Sequence, residues 1–224
     1  MKKLLIPFLF AITLPASFSC TPGKFGYRLT EQDAASAIRE LLQLGSRQGL
    51  SGTFNRDMIM SAVFPKEVNK ALDVLSLLGL TSEVDRFTTT LGSAAEKSAT
   101  RSIPIFLSAI DRMTFTDAMR IIKNGGTSAT DFLRTAVGAD IRRALTPVMK
   151  DALNEYKLQD QWDKFVKPIK IAGISLNPDL SAIMATLVAD AMFRKIEEKE
   201  LDIRNNAAAR TTTLLQKVFS RNWN

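Results

Sequence analysis

Four charged side chains near the C-terminus have the types and spacing that suit an anion or carbohydrate site: Glu198, Glu200, Arg204 and Arg210. Residues four apart share a helix face, so Glu200 can pair with Arg204, and Glu198 can pair with Arg194. The alternative is a solvated salt-bridged face followed by a helix cap, and surface pairs of that kind contribute under about 1 kcal/mol. We favour this alternative and expect the cluster to be ordered and structural first.

A second candidate for anion binding is the stretch KNGGTSATDF, residues 123–132. Two glycines before a Thr/Ser-capped helix can present backbone N–H groups to an anion, with Lys123 and Arg134 nearby. The same pattern also describes an ordinary connection between two helices, which is the interpretation we favour. The spacing is not that of a nucleotide-binding loop.

A third candidate is WDKFVKPIKI, residues 162–171, in which lysines alternate with Trp162, Phe165 and Ile169. A basic amphipathic helix of this kind can lie on an anionic membrane. A surface helix with its lysines in water gives the same pattern, and we favour that interpretation.

The composition excludes many classes of catalytic mechanism. The chain has no histidine and one cysteine, which excludes His-based triads, His-ligated metals and imidazole proton transfer. A carboxylate-pair hydrolase needs neither residue and stays open as an alternative. The 23 acidic residues mostly lie beside lysine or arginine in helical patterns, however. We therefore expect no catalytic residue, no metal, no cofactor and no enzyme activity.

The single cysteine, Cys20, follows an export signal. Residues 1–19 have two lysines directly after Met1, continue with an apolar stretch of eleven residues and end with small residues. Eleven residues are too few to span a bilayer as a helix, which needs about 20. The segment Ser17–Cys20 resembles a bacterial lipoprotein signal, in which the cysteine is acylated and becomes the first residue, although Ser17 stands where leucine is usual. The alternative is ordinary cleavage beside a stray cysteine.

Lipidation at Cys20 defines the expected domain organisation. Residues 1–19 are the signal, residues 20–29 with their proline and glycines are a flexible tether, and residues 30–220 are one helical domain. The whole chain has a net charge of +7, and loss of the two signal lysines leaves +5. In an exported protein this charge favours an anionic envelope component over nucleic acid as a partner.

Apolar residues recur at helical spacing almost throughout the chain, which predicts an all-α bundle of about eight helices with no substantial sheet. We expect a continuation or a kink at Pro104, and an extended connector over residues 58–65. The expected helices begin near Thr30, Pro65, Thr81, Thr114, Thr127, Trp162, Asn177 (with Pro178 at the first helical position) and Thr211.

The stretch FRKIEEKELDIRNNAAARTTTLLQKVF, residues 193–219, resembles the C-terminal signature of a bacterial family known as domain of unknown function 4197. Ala207 stands where that signature has proline, which loosens the expected break before Arg210. The resemblance extends over most of residues 30–220. It implies an exported, mostly helical and often lipoprotein-like protein, and it supplies no catalytic residues.

These observations predict an exported, lipid-anchored and non-catalytic binding or scaffold module on the periplasmic side of a bacterial envelope. Its partners would be the membrane, through the acyl chains, and an unknown envelope protein or anionic component. Thr21 is not the aspartate that retains some lipoproteins in the inner membrane, so the outer membrane is favoured. The alternative is a periplasmic carrier of a small apolar or lipid ligand, which would need a large apolar cavity.

Overall fold

The computed structural model describes residues 28–63, 68–116, 118–174, 179–221 and 223. The signal, Cys20 and most of the predicted tether lie outside these residues, as do Pro65, Asp117, Asn177 and Pro178. Within the described ranges the chain forms nine α-helices and no strand, which confirms the all-α bundle. The helices are α1 Glu31–Ser46, α2 Arg56–Val63, α3 Val68–Leu77, α4 Thr81–Arg112, α5 Ala118–Asn124, α6 Ser128–Glu155, α7 Leu158–Ile171, α8 Leu180–Asn205 and α9 Thr213–Phe219.

Side-chain caps set several helix starts. The Thr30 hydroxyl accepts the Asp33 N–H at 3.1 Å, so α1 begins where the sequence predicts. The Thr212 hydroxyl does the same for Leu215 at the start of α9. At α8 the Asp179 carboxylate accepts the Ala182 N–H at 3.0 Å.

The predicted extended connector over residues 58–65 is wrong for its described part, because Arg56–Val63 is helix α2. The Asn55 side chain accepts the Met58 N–H at 2.9 Å and caps the helix. Its buried residues Ile59, Met60 and Val63 follow helical spacing. Tertiary burial of this face outweighs the extended preference of Ile59 and Val63.

The three longest helices, α4, α6 and α8, form the centre of the bundle. Cross-helix pairs run in opposite order along α6 and α8, with Arg134 against Glu197 and Arg142 against Asp190, so these helices are antiparallel. Helix α4 continues through Pro104 without a break. A proline inside a helix costs about 3 kcal/mol, and the burial of residues on both sides, such as Ser102 and Phe106, outweighs that cost.

The bundle has two ends, which we name after the helices that lie there. We call one the α5 end, where α1 and α6 begin and where α5, α8 and α9 end. We call the other the α7 end, where α7 packs on the first half of α4. Helix α4, at 32 residues, is about 48 Å long and extends between them.

Candidate functional site

A buried carboxylate at the α5 end, that of Glu200, lies at the centre of the predicted cluster. Its side chain has no exposed surface. The Ala129 N–H donates to Oε1 at 2.9 Å, and the Thr130 N–H and hydroxyl donate to Oε2 at 2.8 and 2.7 Å. Arg204 donates to Oε1 through Nε at 3.0 Å and Nη2 at 2.8 Å. Five donors saturate a group with about four lone-pair positions.

Glu200 caps the N-terminus of α6 from a distance of seventy residues along the chain. The residue at the N-cap position, Thr127, makes no capping bond and donates its hydroxyl to Asp131. The first-turn N–H groups of α6 would otherwise lack acceptors. Glu200 accepts two of them, and its negative charge lies at the positive end of the helix dipole.

Arg204 extends this contact to two further helices. Its guanidinium donates to the carbonyls of Ile121 and Ile122 at the C-terminus of α5, at 3.2 and 3.1 Å, and to Ser128 Oγ at 3.1 Å. It also lies 5.2 Å from the centre of the Phe219 ring on α9. We name the pair the Glu200–Arg204 clamp, because it connects α5, α6, α8 and α9.

Arg210 closes the C-terminus of α8. Its Nε and Nη2 donate to the carbonyls of Ile203 and Arg204, both at 2.8 Å. A 3₁₀ turn, Ala207–Ala209, follows the helix, and the Asn206 side chain caps it by accepting the Ala208 N–H. The turn therefore forms with alanine at position 207.

Glu198 does not join the cluster. It lies two residues from Glu200, on another face of α8, and it pairs with Lys195 at 2.7 Å with 60% of its side chain exposed. The predicted partner Arg194 lies instead against Met58 Sδ at 3.9 Å. The predicted solvated face is also wrong for the Glu200–Arg204 pair, whose side chains are 0% and 9% exposed. The spacing predicts that Glu200 and Arg204 pair, but it does not predict that their side chains are buried.

The glycine-containing stretch does present backbone N–H groups to an anion, but the anion is the protein's own Glu200. Arg134, expected nearby, pairs with Glu197 at 2.5 Å and with Asp131 at 3.3 Å. No spacing rule links residues 129–130 to position 200, so the sequence could not reveal this contact.

The amphipathic stretch 162–171 lies in α7 with its apolar face buried. Trp162 and Phe165 contact Phe87 of α4, with ring centres 6.3 and 5.2 Å apart, and the lysines are exposed. The apolar face is therefore occupied by α4, as expected for a surface helix.

Four clefts of about 320 to 460 Å³ open onto the surface formed by the described residues. Each has at most one carboxylate in its lining, namely Asp140, Glu83 or Asp190, and one has none. In the same part of the chain no group of three Asp, Glu or Cys side chains could hold a metal ion. No described helix is long and apolar enough to cross a bilayer.

Two carboxylates, the exposed Glu155 and the half-buried Asp202, have lowered pKa values. Hydrogen bonds from Lys97 and Arg101 lower the pKa of Glu155, and a hydrogen bond from Lys199 lowers the pKa of Asp202. Both lie outside the clamp.

The family model described as "Protein of unknown function (DUF4197)" matches residues 28–220. The chain belongs to this family. No curated protein and no solved structure matches the chain. The match covers α1 to α9 together with the clamp, and it begins after Cys20.

Proposed function

We propose that this DUF4197 protein is an exported, lipid-anchored and non-catalytic binding or scaffold module of a bacterial cell envelope. It would lie on the periplasmic face of a membrane, the outer membrane rather than the inner. The proposal rests on two features from different parts of the chain: the signal-like sequence of residues 1–19 before Cys20, and the use of the Glu200–Arg204 clamp within the fold.

The saturated clamp is the observation that carries the non-catalytic half of the proposal. Glu200 and Arg204 are the charged pair that the sequence offers most clearly for chemistry. Their hydrogen-bonding atoms are directed at the protein's own helices, and both side chains are almost completely buried. A general acid or a nucleophile must reach a substrate, which these two groups cannot do without opening the bundle.

The described clefts favour a binding surface over the two alternatives. A carboxylate-pair hydrolase needs two acids about 5 to 10 Å apart across one cleft, and each described cleft has one or none. A carrier would enclose most of its ligand in an apolar cavity, whereas these clefts are open to solvent.

The anchor half of the proposal depends on Cys20, the only thiol of the chain. An exported thiol without an internal disulfide partner is reactive, and acylation removes it. Several acyl chains, each contributing about 0.8 kcal/mol per buried CH₂, would hold the domain at a bilayer.

The test is the intact mass of protein extracted gently from its host's membranes. We expect a chain that begins at Cys20 and carries acyl mass, and we expect Cys20→Ala to leave the membrane fraction. A chain that begins at Cys20 with a bare thiol, or that retains residues 1–19, contradicts the anchor. A further small mass bound to the folded chain would favour the carrier instead.

A further inference from the structure

The cleft at the α5 end, of about 410 Å³, differs from the other three in its charge. Three charged residues line it, Lys123, Arg204 and Arg221, and all are basic. The other clefts each include a carboxylate. We name this site the α5 cleft.

Two carboxylates on the neighbouring helices, Asp202 and Asp131, already pair with other cations. Asp202 on α8 pairs with Lys199 at 3.0 Å, and Asp131 on α6 pairs with Arg134 at 3.3 Å. Arg204 is itself committed to Glu200. The side chains of Lys123 and Arg221 are exposed on the cleft, and Arg221 also has contacts within the chain. These two exposed side chains can reach an anionic group in the cleft.

Aromatic and apolar side chains lie beside these cations. The Trp223 indole donates to the Val218 carbonyl at 2.6 Å, which fixes the ring while part of it stays exposed. The Arg221 guanidinium lies 6.0 Å from the centre of this ring. Leu201 is 41% exposed on the same cleft. Tryptophan beside basic and apolar groups is typical of surfaces that contact the interface of a bilayer.

The α5 cleft also lies at the end of the bundle where the chain enters the domain. The Glu31 carboxylate at the start of α1 accepts the Met119 N–H at 3.2 Å, and Met119 is one helical turn from Lys123 on α5. The eight residues 20–27 can extend to about 28 Å at most. A membrane that holds Cys20 is thus within reach of the α5 cleft.

We propose that the α5 cleft binds the headgroup phosphate of an anionic phospholipid in the membrane to which Cys20 is anchored. This inference rests on the proposed function, because the anchor brings the cleft to the bilayer. Two basic residues alone attract a membrane weakly. The tether makes this contact intramolecular, so a weak interaction is sufficient to orient the domain.

The experiment uses the intact acylated chain, with its mass measured first, in phosphatidylcholine vesicles with and without phosphatidylglycerol. Brominated acyl chains in these vesicles quench tryptophan emission at the interface. The chain has two tryptophans, and Trp162 is fully buried at the α7 end, so Trp223 reports the cleft. The variant Trp223→Phe gives the background.

We expect phosphatidylglycerol to increase quenching of Trp223. The double substitution Lys123→Gln/Arg221→Gln should lower the docking equilibrium about tenfold or more. The matched control is Lys164→Gln/Lys167→Gln, which removes the same charge from exposed positions of α7 and should change nothing. Lys123 also lies in the last turn of α5, so thermal stability is measured in parallel to separate a folding effect.

The outcomes separate this inference from the proposed function. A chain without acyl mass at Cys20 overturns both. An acylated chain whose Trp223 is equally quenched with and without phosphatidylglycerol overturns only the inference, as does equal loss in the two charge variants. Inorganic phosphate that shifts Trp223 emission without vesicles would assign the cleft to a soluble anion and contradict the lipid.

Discussion

Different kinds of interaction stabilise the two ends of the bundle. At the α5 end a buried carboxylate and a nearly buried guanidinium connect α5, α6 and α8 through directional hydrogen bonds, and the guanidinium also contacts the Phe219 ring of α9. At the α7 end Phe87, Trp162 and Phe165 pack as an aromatic cluster, and charged contacts such as those between Glu155 and two cations lie at the surface. Apolar packing tolerates changes of similar volume, whereas a buried ion pair fails when one partner is removed.

The largest expected effect is the loss of one clamp partner. Glu200→Ala leaves Arg204 without its counter-charge and two α6 N–H groups without an acceptor, so the free energy of unfolding should fall by about 3–5 kcal/mol. Urea unfolding followed by circular dichroism measures it. Glu198→Ala, two residues away and exposed, should stay within about 0.5 kcal/mol. Equal losses for the two variants would refute the structural role of the clamp.

Shape-conserving substitutions sharpen the comparison. Glu200→Gln keeps the size of the side chain but removes the charge and one acceptor, so we expect a loss of about 2–3 kcal/mol. Met149→Leu, a buried change of similar volume between α4 and α6, should cost under about 1.5 kcal/mol. Denaturant unfolding of the two variants side by side compares the costs. The reverse ranking would show that apolar packing is the less tolerant of the two.

A close approach of two helices near the clamp is a separate source of stability. A Cβ at Gly45 of α1 would lie 2.8 Å from Ile196 Cα on α8, so Gly45→Ala must push backbone apart and should cost about 1–3 kcal/mol. Thermal unfolding measures the difference. Gly49→Ala has open space around the added methyl and should change stability little. Equal thermal midpoints for the two variants would contradict the close approach of α1 and α8 at Gly45.

The smallest expected effect is at the surface pairs of the α7 end. Lys97 and Arg101 hold the pKa of Glu155 below its ordinary value of 4.5, so the ionised form is stabilised in the folded state. The resulting stability is present above that ordinary pKa and is lost as pH falls through the lower, folded value. Glu155→Gln should therefore flatten the acid side of the stability profile, measured as the thermal midpoint against pH. Since the site is exposed, high salt should weaken the difference, and a salt-independent difference would contradict this account.

Local signals in the sequence explain how much of the fold could be predicted. Helical periodicity predicts the all-α bundle, and the cap at Thr30 is found where a threonine precedes an amphipathic run. The sequence does not predict helix α2 because the helix is short, because Ile59 and Val63 are β-branched, and because burial against the rest of the bundle decides its conformation.

The candidate site was predicted less completely, for a physical reason. The pairing of Glu200 with Arg204 follows from their spacing, but their burial depends on α5 and α6, which are about eighty and seventy residues away in sequence. A charge pattern alone resembles a solvated helix face. Only the three-dimensional structure shows that the N-terminus of α6 takes its cap from α8.

The most direct test of this central claim is amide hydrogen exchange at Ala129 and Thr130. First-turn amides of a helix have no acceptor within the helix and normally exchange quickly. Because Glu200 accepts both of these N–H groups in a buried site, we predict that they exchange slowly, only through large-scale unfolding. Fast exchange of the two amides in the intact, folded chain would contradict the clamp.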